Sequence, residues 1–217
     1  MKTLQLSGLL ACLLILPQPS DAQEPTKSAQ QPETQNPALA EKIRDTSPDK
    51  KFALRISYDA KTNQELMKGQ NADAEKIFPQ AIKAIGLVSL PEKAVVADLP
   101  WDGSAVDMSL TWSPDSKWCA FYANMSRTSE TTVYHLRGDK FVEMGGEEEL
   151  GVDVKGDVRF VWVTPIRWIK PGVLLLEQFD IFRGGNGEDA TYSFTARFDE
   201  KTGKFRIISK KKIPSKE

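Results

Sequence analysis

Residues 112–121 read Trp112-Ser113-Pro114-Asp115-Ser116-Lys117-Trp118-Cys119-Ala120-Phe121, and Ser47-Pro48-Asp49-Lys50-Lys51-Phe52-Ala53-Leu54 repeats the theme earlier in the chain. Proline fixes φ and the aspartate side chain bonds the backbone ahead of it, so Ser-Pro-Asp makes a tight turn. The aromatic and small apolar residues that follow suit a buried strand. Recurrence of such a unit predicts an all-β fold assembled from similar antiparallel meanders. A turn phrase carries no chemistry of its own, so the fold is more legible here than the function.

Working outward, strand signals dominate from Ser47 onward. They predict strands at Phe52–Tyr58, Val106–Trp112, Trp118–Ala123, Thr131–Leu136 and Phe141–Met144, and a hairpin from Ala84–Leu90 to Ala94–Leu99 about Pro91-Glu92-Lys93. Further strands are expected at Val158–Val163, Val173–Phe182, Thr191–Phe198 and Phe205–Ser209. The polar stretch 59–80 reads as a long insertion with a short helix near Ala72–Ile77, and 145–157 as a loop. Trp168-Ile169-Lys170-Pro171-Gly172 reads as a turn and a worn third copy of the Trp112 phrase, which gives a repeat of about 55–65 residues against the ~40–45 of propeller blades. Phe160–Val163 and Val173–Leu176 are apolar at consecutive positions. Side chains alternate across a strand, so both stretches are expected to be covered on both faces.

The phrase Trp112-Ser113-Pro114-Asp115-Ser116-Lys117, followed by Cys119-Ala120-Phe121, resembles the blade repeat of TolB-like β-propellers, with Ser116 in place of the usual glycine. The earlier copy matches at Ser47-Pro48-Asp49 and Lys51, with Thr46 where the tryptophan would stand. Val96-Ala97-Asp98-Leu99 fits a middle strand of such a blade. The resemblance implies a rigid, exported binding scaffold and carries over no catalytic residue. Three meanders are fewer than the 4–8 blades of a closed propeller. The expected architecture is therefore a propeller-like open array, with a β-sandwich or barrel as the alternative closure.

The N-terminus reads as a secretory signal over residues 1–22. Lys2 precedes the apolar run Leu9–Leu16, Pro17 and Pro19 follow, and Ser20-Asp21-Ala22 offers a small-x-small cleavage pattern before Gln23. The alternative is a lipoprotein signal, Leu9-Leu10-Ala11-Cys12, lipidated at Cys12. The run falls short of the ~20 apolar residues of a membrane-spanning helix. Residues 23–35, rich in Gln, Pro, Thr and Ser, are expected to be a disordered tether. A single β-rich domain is expected over 36–217, opening with a short docking helix at Ala38–Arg44 behind Asn36-Pro37.

Charge and residue type narrow the function classes. Twenty-nine basic and thirty acidic residues leave a net charge of −1, so no global field draws nucleic acid. Signal removal would leave Cys119 as the one cysteine, and its apolar neighbours make it a small buried hydrophobe. His135, the one histidine, alternates with apolar residues in a strand, which no zinc or nucleophile motif matches. Glu147-Glu148-Glu149 and Lys210-Lys211-Lys212 read as solvated runs, and Gly184-Gly185-Asn186-Gly187 as a hairpin tip. Arg137-Gly138-Asp139 spells an adhesion tripeptide but also a tight turn, and Asn124-Met125-Ser126 is a glycosylation sequon. No residue is assigned a catalytic, cofactor-binding or metal-ligating role, and no cofactor is expected. The reading is an exported, secreted or periplasmic, non-enzymatic binding module whose partner is a protein, the cell envelope or a second copy. Loops 59–80 and 183–189 are its candidate contact surfaces. The alternative is a glycosidase-like hydrolase using paired carboxylates in a cleft.

Overall fold

A computed structural model of the chain describes residues 39–68, 75–145, 150–184 and 189–214. The expected signal and tether, the adjoining 36–38, Glu147–Glu149 and the tip 185–188 lie outside the described residues. The remainder belongs to one compact unit, Pro37–Glu217.

Twelve strands form three four-stranded antiparallel meanders. The first sheet holds β1 (Ala40–Arg44), β2 (Phe52–Tyr58), β3 (Ile82–Ser89) and β4 (Val95–Asp98). The second holds β5 (Asp107–Trp112), β6 (Trp118–Asn124), β7 (Ser129–Arg137) and β8 (Lys140–Met144). The third holds β9 (Val158–Lys170), β10 (Val173–Phe182), β11 (Ala190–Asp199) and β12 (Lys204–Ile213). The sheets do not join into a closed barrel.

The two Ser-Pro-Asp phrases fold into the same turn. Ser47 Oγ donates to Asp49 Oδ1 (2.7 Å) and accepts from Phe52 N (3.0 Å), while Lys51 N donates to Asp49 Oδ1 (3.1 Å). Ser113 Oγ makes the matching bonds to Asp115 Oδ1 (2.5 Å) and from Trp118 N (3.0 Å), and Lys117 N donates to Asp115 Oδ1 (3.2 Å). The fourth residue after the Trp112 position takes a left-handed φ in all three sheets: 61° at Lys50, 59° at Ser116 and 69° at Gly172. The glycine of the third copy carries this conformation without the cost it has at the other two. Ser116 Oγ also accepts from Asp49 N at 3.0 Å, tying one turn to the next.

A tryptophan key sets each sheet on the one before. Trp112 Nε1 donates to the carbonyl of Asp45 (2.6 Å), and Trp168 Nε1 to that of Thr111 (2.9 Å). Counted from the turns, Asp45 and Thr111 are equivalent positions. The ring of Trp112 packs on Phe52 and that of Trp168 on Trp118, centroids 6.3 and 5.7 Å apart. Phe52 and Trp118 are likewise equivalent, each opening the second strand of its sheet.

The second sheet is thus a middle layer. Cys119 and Phe121 face the first sheet's Leu54, Ile56 and Leu87, while Trp118 and Ala120 face the third sheet's Leu174, Leu176 and Phe194. All four consecutive residues Trp118–Phe121 are buried. The third sheet differs from expectation. Leu174 and Leu176 are buried against the second sheet, but Leu175, Phe160 and Trp162 are only half-buried, because no further sheet among the described residues covers that face.

Three local expectations are corrected. Residues 40–44 form β1 rather than a helix, since pairing with β2 satisfies their backbone and only Leu39 and Ile43 favoured an apolar helix stripe. Among the described residues the helix of the insertion is α1, Ala60–Met67, while residues 72–74 of the expected 72–77 helix lie outside the described residues. Asp59 accepts from Thr62 N (2.9 Å) as its N-cap, and Glu75–Phe78 are non-helical. Finally, β9 runs unbroken through Trp168, and the turn begins only at Pro171. The lysine run is exposed, as expected, but belongs to the edge strand β12, where Lys210, Lys211 and Lys212 pair with Phe194, Ser193 and Tyr192.

Candidate functional site

The outward face of the third sheet gathers residues distant in sequence. Register places Phe179 between Trp162 and Thr191, and Phe160 beside Ile181. The Phe160–Trp162 and Trp162–Phe179 ring centroids lie 5.9 and 5.7 Å apart, and the Arg159 guanidinium sits 4.7 Å above the Phe160 ring. The next row toward the turns is polar, with Thr164, Glu177, Ser193 and Lys211. Beyond it stand Arg167 beside Leu175 and Thr195, then Lys170, Val173 and Arg197. Cations outnumber carboxylates on this face of a nearly neutral chain. Of the acids beside it, Asp199 is bound to Arg206 at 2.9 Å.

The opposite end of the stack is unlike it. The outward face of the first sheet carries Ala53, Arg55 and Ser57, with Ile43 beside Arg55 and Val88 beside Ala53, and with Glu41 3.6 Å from Arg55 and 3.2 Å from Lys93. Its charges pair with one another and these apolar side chains are aliphatic.

Both ends also lack the stacking lock. Thr46 stands where the second and third sheets carry their tryptophan key. Val173 stands where Phe52 and Trp118 receive one, as the pairings Trp112↔Cys119 and Trp168↔Leu174 show. A further sheet of the same kind, from this chain or another copy, would find neither half of the lock.

On the inner side of β10 lies a buried polar node. Gln178 accepts from Val152 N (2.7 Å) and donates to Val152 O (3.0 Å) and to the Asp180 carboxylate (2.8 and 3.1 Å). Asp180 is 0% exposed, and burial pushes its carboxyl above the ordinary value against the opposing pull of Gln178 and Lys210. The amide acts as a surrogate strand that pins residues 150–154 over the core.

A groove of about 540 Å³ separates the β7–β8 end from β9 and β12. Its hydroxyls are partly committed: Val163 N donates to Ser129 Oγ (2.7 Å), and Thr131 Oγ1 donates to Val163 O (2.7 Å). Glu130 and Glu143 border it. Glu143 lies opposite Tyr134, four residues along β7 from Glu130. That places their backbones about 13 Å apart along the strand.

The residues singled out from sequence are scattered. Cys119 is 0% exposed, and burial raises its thiol well above the ordinary value. The His135 ring stacks on Trp118, centroids 4.0 Å apart, and burial lowers its pKa with Arg137 assisting. Its Nδ1 has no hydrogen-bond partner among the described residues. Gly138, with φ 65°, turns the chain between β7 and β8, so Arg137-Gly138-Asp139 belongs to a hairpin. Asn124 closes β6 and accepts from Ser126 N at 2.9 Å. Among the described residues, no three His, Cys, Asp or Glu side chains are placed to share a metal ion, and no helix is long and apolar enough to cross a membrane. Sequence reasoning missed the outward face itself. No protein-family model matches the chain, and comparison with curated proteins finds no match.

Proposed function

We propose that this protein is an exported, non-enzymatic binding module whose contact surface is the outward face of the third sheet. The observation that carries the reading is the asymmetry of the two ends: one aliphatic with internally paired charges, the other aromatic and cationic. Aromatic and arginine side chains are the residues most enriched at binding hot spots. A rigid three-sheet stack holds them in fixed register, which limits the ordering cost of binding. Export rests on the Leu9–Leu16 run and the Ala22 cleavage pattern, with Cys12 lipidation as the alternative, and the TolB-like likeness rests on the Trp112 phrase.

Oxidative footprinting in extracts of the native host tests this. Modification of Trp162 should fall when the partner is present, while that of Trp101, at the margin of the first core, should not change. Equal labelling of Trp162 in every fraction would remove the proposal. The hydrolase reading keeps one specific support, the groove bordered by Glu130 and Glu143. Release of reducing sugar by the wild type, abolished by Glu130→Gln, would establish it instead.

A further inference from the structure

We propose that the outward face of the third sheet binds an acidic polysaccharide, its sugar rings laid on Trp162 and Phe179 and its carboxylates on Arg167 and Arg197. This rests on the reading of that face as the contact surface and names the chemistry it fits. The face is a run of four paired strands, which suits an extended ligand.

Charge complementarity selects the sign. Lys170, Arg167, Arg197 and Lys211 share the face with Glu177 as the carboxylate within its rows. Arginine presents a planar fork that pairs with carboxylates in two bonds at once. The spacing selects a polymer. The Arg167 row lies four residues from the Trp162 row and the Lys170–Arg197 row lies further, distances of about 13–20 Å at the rise of a strand. A ligand touching both rings and guanidiniums is longer than one monosaccharide.

The polar row between them selects a sugar. Thr164, Glu177 and Ser193 lie side by side between the rings and the cations. A carboxylate there accepts hydrogen bonds from ligand hydroxyls, which a polysaccharide supplies along its length. A single-stranded DNA has no run of free sugar hydroxyls to donate to Glu177. A second copy of the chain is disfavoured by Thr46 and Val173, which leave the stacking lock incomplete on both ends.

The test uses the full chain as exported and a panel of polyuronates: polygalacturonate, alginate and hyaluronan. A neutral β-glucan, oligo(dT) and phosphatidylglycerol vesicles serve as competing classes, all measured by titration calorimetry at two salt concentrations. One or more polyuronates should bind, more weakly at high salt. Trp162→Ala should weaken that binding about tenfold, equivalent to one aromatic contact. Arg167→Glu with Arg197→Glu should abolish it, while the unfolding midpoint of each variant shows that the sheet is intact. Tighter binding to oligo(dT) or vesicles would overturn the sugar assignment. So would no polyuronate binding while Trp162 is still protected in native extract, and that result leaves the contact face standing. Polyuronate binding unaffected by every substitution would overturn both.

Discussion

Two aromatic pairs in this molecule have the same separation and opposite roles. Trp118 and Trp168 join the second sheet to the third with ring centroids 5.7 Å apart; Trp162 and Phe179 lie side by side in the third sheet, also 5.7 Å apart. The first pair is buried, with Trp118 6% and Trp168 4% exposed. The second is half-buried, covered from one side by its own sheet. Ring distance therefore says little about what a contact contributes. Trp168 also donates its indole N–H to a neighbouring sheet and fills space between two layers, so it fixes how the layers stack. The Trp162 pair makes a lateral contact within one sheet and leaves ring surface for a ligand.

The largest effect should come from emptying the buried pair. Trp118→Ala is expected to lower unfolding free energy by about 3–5 kcal/mol, and Trp162→Ala by about 1 kcal/mol, read from denaturant midpoints at constant slope. Equal shifts would break the distinction between the pairs. Next comes the turn that delivers Trp118 to its site. Ser113→Ala leaves the buried Trp118 N–H without its acceptor, a cost of about 1–3 kcal/mol. Ser47→Ala should match it within error because Phe52 N is held in the same way. A large difference would show that the two turns share geometry without sharing energetics.

The two sides of β10 can also be compared through pH. Asp180 points inward where its neighbour Phe179 points outward, and burial raises its native pKa above the ordinary 3.8. Its contribution to stability is fully present below the unfolded value and is lost as pH rises through the raised native one. Stability measured from about pH 3 to about pH 7 should therefore fall more steeply with pH in the wild type than in Asp180→Asn. Parallel curves would mean that Asp180 titrates as it does in the unfolded chain. The smallest effects belong to the left-handed turn positions. Lys50→Gly should stabilise by up to about 1 kcal/mol by relieving its φ of 61°. Ser116→Gly should change little, since the same relief is offset by loss of the bond from Asp49 N.

What could be read from the sequence was whatever a few adjacent residues decide. The Ser-Pro-Asp turns announce themselves because their hydrogen bonds close within five residues, and Trp168 marks a third copy although its turn has lost the serine and aspartate. The limits of that copy differ from the local reading because Trp168 and Lys170 still pair with β10 around a bulge at Ile169, which only the partner strand determines. Residues 40–44 went astray for a similar reason: Ala-Glu-Lys-Ile-Arg has no alternation, and edge pairing overrides its local preference. In α1 the Asp59 cap was a usable signal, hidden by the surrounding polarity. The outward face had no local signal at all. Trp162, Phe179, Arg197 and Lys211 come from four strands, and only the register of those strands assembles them.

The tryptophan keys between sheets sit at one end of the strands, while Ser129 and Thr131 tie β7 to Val163 nearer the other. The indole bonds to Asp45 and Thr111, and the Ser116 hydroxyl on Asp49, all lie beside the turns that open each second strand. The insertion after Tyr58, the bend after Asn124 and the connection after Phe182 all leave from the other end. The molecule is built like a book bound along its spine, with a single clasp, Ser129 and Thr131 on Val163, nearer the fore-edge. Length can be added or removed at that fore-edge, away from the clasp, without disturbing the binding. Grafted loops of quite different sizes belong there, in the connection after Phe182, where a new peptide would be displayed while the three sheets keep their places.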